Sequence, residues 1–294
     1  MISALIPTYN YNVYPLVREL HKQLSKAGIE FEIIVFDDAS EQSFETDQLI
    51  AELPRVIYKK MAQNQGRLAL RYQMAQTARY DQLLMLDADM FPKDRFFVLK
   101  LLKIMEKHPA DIYFGGINVP PNPPSDEKML RWKYGKHRES LSLEKRRQQP
   151  YKSLLCGALS LKKAVFLNTA KPLLPIKRYG LDVYFSYLLK QQHTTVWHYQ
   201  NPVTHLGLEA NMEFLKKTRD AVETYHFLIS HKKMPADYIK LTKIGEKIKK
   251  WLPYPFRKCL FKCKKPFIEW QLNTKNPSLF LFDIYKLLYY LQLK

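Results

Sequence analysis

The sequence predicts an α/β fold: a mostly parallel sheet flanked by helices, followed by a basic helical C-terminal region. Three observations predict it. Short apolar runs alternate with amphipathic stretches over the first two thirds of the chain, the pattern that builds βα units around a parallel sheet. Two of those runs stop abruptly at acids, Asp37-Asp38 and Asp87-Ala88-Asp89, and ligands of open α/β sheets gather beyond the carboxyl ends of strands. Charge is also uneven. The 294 residues carry a net +19, and positions 230–294 hold 15 Lys and Arg against 4 Asp and Glu.

Each element follows from its local pattern. Ile2–Ile6 predicts a first strand, and Val13–Ala27 a helix that stops at Gly28. Phe31–Phe36 is a second apolar run, Ser43–Leu53 a helix, and Arg55–Lys59 a third strand. A helix over Arg67–Arg79 leads into the strand Leu83–Leu86, then come a helix over Asp94–Lys107 and a strand at Asp111–Gly115. Pro120-Pro121-Asn122-Pro123-Pro124 interrupts the alternation, so the charged stretch Ser125–Lys152 is expected to leave the sheet as a helical or mobile excursion. Order resumes at Leu154–Leu161, followed by a helix at Asp182–Gln191, a strand at Thr194–His198 and a helix at Asn211–Ser230.

Composition narrows the class. Hydrophobic content of 46% with 13% aromatics is ample for a packed core. Met1–Pro7 lacks a basic lead and a long apolar run and is expected to be a strand rather than a signal peptide. No uncharged apolar stretch is long enough for a membrane span. Three cysteines suggest free thiols in a reducing cytosol. In the basic tail, lysines alternate with Trp251, Phe256, Phe261, Phe267 and Trp270. Basic residues attract anionic lipid and aromatics favour the headgroup zone, so a peripheral contact with an anionic membrane surface is expected, at its cytoplasmic face. The competing explanations are a helical appendix that packs its aromatics inward and, less favoured, nucleic-acid binding.

The chemistry centres on Asp87 and Asp89. Residues i and i+2 of an extended segment point the same way, so both acids can face one ligand. Two carboxylates about 4 Å apart repel by roughly 4 kcal/mol at an effective dielectric near 20, a cost that solvation or an intervening divalent cation offsets. Carboxylate ligation completed by substrate phosphates suits Mg²⁺ or Mn²⁺. Taken alone, the pair reads more readily as a turn begun by Asp87 and a cap supplied by Asp89 to the helix after Pro92.

Four motifs in register decide between these. Ile6-Pro7-Thr8-Tyr9-Asn10, Asp37-Asp38-Ala39-Ser40, Asn64-Gln65-Gly66 with Arg71, and Asp87-Ala88-Asp89 close successive elements. Together they resemble the GT-A fold family 2 glycosyltransferases, inverting enzymes that use nucleotide-diphosphate sugars. The resemblance covers about residues 1–210. It implies a catalytic domain there, with a nucleotide-sugar half over about 1–118 and an acceptor half over 119–210, leaving 211–294 as the basic appendix.

The resemblance implies a role for each motif. Pro7 and Tyr9 lie against the nucleobase, uracil favoured, and Asp38 accepts a base N–H. Gly66 permits close backbone approach and Arg71 meets the diphosphate oxygens. Asp87 binds the ribose or reaches the metal through water. Asp89 holds the metal directly, and His205 in Asn201–Gly207 is a further metal or diphosphate contact, or a histidine that is simply hydrogen-bonded. Gly157 and Ala158 lie beneath the acceptor, a glycan or lipid-linked glycan. Asp182, at a predicted helix start, matches the catalytic base, with Leu181 where the family usually has Glu. A free Asp titrates at about 3.9, so it accepts a proton only as the hydroxyl attacks.

Some positions depart from the family. Tyr72 replaces the usual Asn after the helix Arg, and Arg79-Tyr80-Asp81 replaces the usual lead into the acid-tipped strand. Lys128-Met129-Leu130-Arg131-Trp132 looks like a processive motif but precedes Asp182 and begins with Lys, so one sugar per encounter is expected. Two other classes compete. A nucleotidyltransferase needs a glycine-rich phosphate loop after strand one, and Pro7–Tyr11 has no glycine. A non-catalytic protein of the same fold is disfavoured by retention of Asp38, Asp87, Asp89 and Asp182.

Overall fold

The computed structural model describes residues 1–294. The strands are β1 (Ile2–Thr8), β2 (Phe31–Asp37), β3 (Val56–Lys60), β4 (Gln82–Leu86), β5 (Met90–Phe91), β6 (Ile112–Phe114), β7 (Ile117–Asn118), β8 (Ala158–Lys162), β9 (Val196–His198) and β10 (Val203–His205). The helices are α1 (Tyr14–Lys26), α2 (Asp47–Ala51), α3 (Arg67–Thr77), α4 (Phe97–Lys107), α5 (Met129–Tyr134), α6 (Leu143–Gln148), α7 (Lys163–Ala170), α8 (Asp182–Gln191), α9 (Asn211–Ser230), α10 (Lys240–Lys249), α11 (Tyr254–Leu272) and α12 (Leu279–Gln292). The chain forms two compact units. One comprises residues 1–119, 140–177 and 188–207, and the other 120–139, 178–187 and 208–294.

The first unit holds a seven-stranded sheet in the order β3-β2-β1-β4-β8-β6-β9. The pairs β1–β2, β1–β4, β2–β3 and β6–β9 are parallel, and β8 runs antiparallel between β4 and β6. The mostly parallel α/β class is therefore what the chain adopts. Parallel strands are covered on both faces and read as unbroken apolar runs. β1 and β2 are buried at every position, and the last four residues of β4 are buried as well. A second, three-stranded sheet in the order β5-β10-β7 stands at the carboxyl end of β4. Helix α2 is shorter than the Ser43–Leu53 expectation because only Ile50 is buried on it to anchor a helical face.

Two buried basic groups brace the β6–β9 side of this unit. Arg146, 1% exposed, has no carboxylate partner. Its guanidinium donates to the backbone carbonyls of Phe114 (2.9 Å), Tyr199 (2.9 Å) and Gly115 (3.3 Å), joining the ends of β6 and β9. His198 donates Nε2–H to the Pro150 carbonyl at 2.9 Å, while its buried Nδ1 has no partner. Burial pushes the His198 pKa down to about 4, with Arg146 and Arg147 adding to the effect and the Pro150 bond opposing it.

His198 makes stability depend on pH. An unfolded histidine titrates at 6.5, so between that pH and about 4 only the unfolded chain takes the proton. Stability is thus lost as pH falls through this window, by up to about 3 kcal/mol. Urea unfolding at pH 7 and pH 5 should show a shallower pH dependence in His198→Gln than in the parent; equal slopes would refute the assignment.

The second unit is helical. Leu130 and Leu215 join Phe261, Ile268, Leu272, Phe282, Tyr285, Leu288 and Leu291 in one core. Arg131, read in the sequence as a coincidental match to a processive motif, is buried between Glu139 (2.9 Å) and Glu209 (3.1 Å) with its guanidinium over the Phe214 ring. A buried arginine with two carboxylates is well compensated, and here it ties the 120–139 segment to the residues leading into α9. The tail therefore does pack aromatics inward, but only some of them. Trp251, Phe256, Phe267, Trp270 and Phe280 remain between 58% and 88% exposed. No helix is long and apolar enough to cross a membrane.

Candidate active site

The acids at the carboxyl end of β4 have separate surroundings. Asp87 follows the buried run Leu83–Leu86, and its backbone N–H donates to the Gly157 carbonyl at 2.9 Å. Its carboxylate accepts a hydrogen bond from Arg71, and Arg67 Nη1 stands 3.7 Å from Oδ2. Burial opposes ionisation of Asp87, but the Arg71 and Arg67 charges outweigh it and hold the carboxyl below its usual range. A β-carbon at Gly157 would lie 2.9 Å from Asp87 Cγ and closer still to Oδ2. The space that glycine leaves is thus taken by the carboxylate, where the sequence reading assigned it to an acceptor ring. Ala158 begins β8 and is 8% exposed.

Asp89 lies two residues on, beside β10. The β5–β10 pairing sets His205 opposite Met90, and Leu206 N–H donates to the Asp89 carbonyl at 2.8 Å. This register brings His205 Nε2 to 3.1 Å from Asp89 Oδ2. The Asp89 side chain is 27% exposed and that of His205 10%. Gly207 completes the wall: a β-carbon there would lie 2.8 Å from Asp89 Cγ. Tyr11 is close by, and burial together with the Asp89 charge pushes its phenol pKa up.

The β1 and β2 ends form a laced pair of loops. Pro7 is buried within β1, and Thr8 Oγ1 donates to the Tyr11 carbonyl at 3.0 Å. Asn10, with φ of +48°, accepts from the N–H groups of Glu41 (2.9 Å) and Gln42 (3.2 Å), and its own N–H donates to Ser40 Oγ at 2.7 Å. This leaves Tyr9 47% exposed at the loop tip. Asp37 accepts the Ser40 N–H at 2.8 Å and so makes the turn. Asp38, 5% exposed, accepts from Gln65 N–H at 2.7 Å and Gly66 N–H at 3.0 Å. It thereby fixes the loop that opens α3, while about four acceptor sites on a carboxylate leave room for another donor.

The second unit carries Asp182. It is the first residue of α8 and is exposed, whereas the next turn of that helix buries Tyr184 and Phe185. Burial, with Tyr134 and then Asp182 adding, pushes the Tyr225 phenol pKa up.

Residues 3–166, more than half of the chain, match the family model described as Glycosyl transferase family 2. The chain belongs to glycosyl transferase family 2. Its fold is that of the GT-A enzymes, as the resemblance implied. A mannosyl-3-phosphoglycerate synthase from Rubrobacter xylanophilus aligns over 82% of this chain and 78% of its own, at 14% identity and a TM-score of 0.53. The mannosyltransferase PcManGT from Pyrobaculum calidifontis, solved with GDP-Man and Mn²⁺, aligns over 78% and 64% at 13% identity and a TM-score of 0.49. S. aureus TarS 1–349 aligns over 76% and 65%, at 15% identity and 0.44. The chain thus spans slightly less than two thirds of the latter two. No curated protein matches it.

Within this family 2 chain, three residues of the site escaped the sequence reading. Arg67 precedes Arg71 by four positions, the spacing that places two side chains on one helix face; that signal was available. Gly207 and Tyr11 had none, since only the strand pairing brings them to Asp89. Arg71 is 4% exposed and bonded to Asp87, and Arg67, with 59% of its side chain exposed, stands 3.7 Å from the same carboxylate.

The donors that a divalent cation would meet on this side of the site are Asp89 and His205. No group of three or more His, Cys, Asp or Glu side chains converges as ligands, and Asp87 is already committed to two arginines. Asp89 and His205 supply one carboxylate and one imidazole within 3.1 Å of each other. Such a pair leaves most coordination positions to substrate phosphates and water, as hard divalent ions at nucleotide sites prefer.

Proposed function

We propose that this chain transfers one sugar from a nucleotide-diphosphate sugar, UDP-linked in preference, to a glycan or lipid-linked glycan, inverting the anomeric carbon. The observation that carries this reading is the division of labour at the β4 end. Asp87 is neutralised and immobilised by Arg71 and Arg67, while Asp89 is left with His205 and partial exposure. A fixed acid and a liganding acid, two residues apart at a strand's carboxyl edge, suit a donor whose ribose and diphosphate are held separately.

In this reading Pro7 and Tyr9 lie against the base, Asp38 accepts a base N–H and also holds the loop at Gln65-Gly66, and Arg71, with Arg67 one turn before it, supplies the positive charge that faces the diphosphate. Asp89 and His205 would hold Mn²⁺ or Mg²⁺, which when bound supplies positive charge opposite the departing diphosphate. Asp182 accepts the acceptor's proton as its oxygen bonds to the anomeric carbon. The bond from that carbon to the diphosphate breaks, and the leaving group keeps the electron pair.

A thermal-shift panel of UDP- and GDP-sugars tests the donor side. Ligand at about 100 times its Kd adds roughly 2.7 kcal/mol of apparent stability. The parent should show a rise in Tm that requires Mn²⁺, and Asp89→Ala should lose it. Equal stabilisation with and without Mn²⁺ in the parent would count against the metal site.

A further inference from the structure

Helix α11 has two apolar faces, and only one is covered. Phe261, Ile268 and Leu272 are 6% exposed or less and enter the core of the helical unit. On the opposite face, Phe256, Leu260, Cys263, Phe267 and Trp270 succeed one another in steps of four, three, four and three residues. That spacing makes one continuous stripe on a helix, about 21 Å long at 1.5 Å per residue. Phe256 is 66% exposed, Phe267 58% and Trp270 65%, and Cys263 is exposed too. A stripe of this size on a soluble surface marks an interaction site.

The charges around it indicate the occupant. At 100° per residue, Lys262 lies to one side of the stripe and Lys264 to the other, and both are exposed. The only acid in α11, Glu269, is turned away, accepting hydrogen bonds from Tyr285 (2.7 Å) and Arg219 (3.3 Å). No negative charge therefore faces outward along the stripe. A second copy would bring the same lysines together on a chain of net +19, which disfavours self-pairing. Nucleic acid would match the lysines but not an uninterrupted apolar centre. An apolar stripe flanked by lysine on each side, with aromatics at its ends, is the pattern of a helix lying in the plane of an anionic bilayer surface.

We propose that the outward face of α11 docks this protein onto anionic lipid, with Phe256, Phe267 and Trp270 entering the acyl boundary and Lys262 and Lys264 meeting the headgroups. This inference is independent of the transfer reading, since it needs neither donor nor metal.

Co-sedimentation of the full chain with vesicles tests it, comparing phosphatidylcholine alone with mixtures containing phosphatidylglycerol. Binding is expected only to the anionic vesicles and should weaken with salt. It should fall by at least about tenfold both in Phe267→Ser/Trp270→Ser and in Lys262→Glu/Lys264→Glu. Because these side chains are exposed, the variants should keep the parent Tm. In the parent, lipids brominated on the acyl chain should quench tryptophan fluorescence, and Trp270→Phe should reduce the quenching. Failure to bind anionic vesicles at low salt would overturn the proposal, as would binding that the apolar substitutions leave unchanged. It would equally fall if the stripe variants abolished a dimer or binding to duplex DNA while lipid binding persisted. The donor-induced thermal shift should be the same in parent and stripe variants, so a failure here and a failure of the transfer reading are distinguishable.

Discussion

Asp182→Asn is expected to bind the donor as the parent does and to transfer sugar about 10²- to 10⁴-fold more slowly, the range over which a positioned general base contributes. The substitution is nearly isosteric and removes only the ability to take a proton. Asp182 is exposed at the first turn of α8, and Leu181, Tyr184 and Phe185 anchor that turn by burial, so the variant should fold. An asparagine also caps a helix about as well as an aspartate. A role in capping alone therefore predicts unchanged turnover, and a role as base predicts its loss. Single-turnover rates with saturating donor, alongside donor affinity by thermal shift, separate the two; parental turnover in Asp182→Asn would refute the base.

Gly207→Ala is the second large effect. The added methyl would lie 2.8 Å from Asp89 Cγ and 2.9 Å from its Cβ, distances that packed carbon atoms do not tolerate. Either the Asp89 carboxylate swings away from His205 or the β5–β10 pairing opens. Overpacking costs about 1–3 kcal/mol, which a chain of this size can absorb while keeping its fold. Catalysis has less latitude, because a displacement of about 1 Å in a positioned group can cost about a hundredfold. Gly207→Ala is therefore expected to lose a hundredfold or more in kcat/KM and to lose the Mn²⁺ dependence of donor binding, with only a modest fall in Tm. A parental Mn²⁺ titration in this variant would show that the close packing of Gly207 on Asp89 does not shape the site.

Gly157→Ala would strain the other acid, by contact with Asp87. The two glycines illustrate the limit of a linear reading. Gly157 was legible as a small residue near the acceptor half, but its neighbour is Asp87, reached through the antiparallel pairing of β4 with β8. That pairing joins residues some seventy positions apart, and no local pattern announces it.

The tail makes the same point through energetics. In sequence, Phe256, Phe261, Phe267 and Trp270 are equivalent aromatics among lysines. In the structure Phe261 is 6% exposed and Trp270 65%. Helical periodicity separates the two faces, but which face is covered depends on where α12, Leu130 and Leu215 arrive.

The sequence by itself determined the alternating α/β architecture, the strand ends at which acids gather, and the amphipathic character of the basic helices. These follow from short-range rules: a buried parallel strand must be apolar throughout, and a helix repeats its face every three or four residues. Tertiary structure alone decided that Arg71 is committed to Asp87, that His205 and Gly207 enclose Asp89, and that Arg146 clamps carbonyls rather than a carboxylate. Each of these is a contact between residues far apart in the chain, set by strand pairing and burial, and a single sequence carries no periodic trace of them.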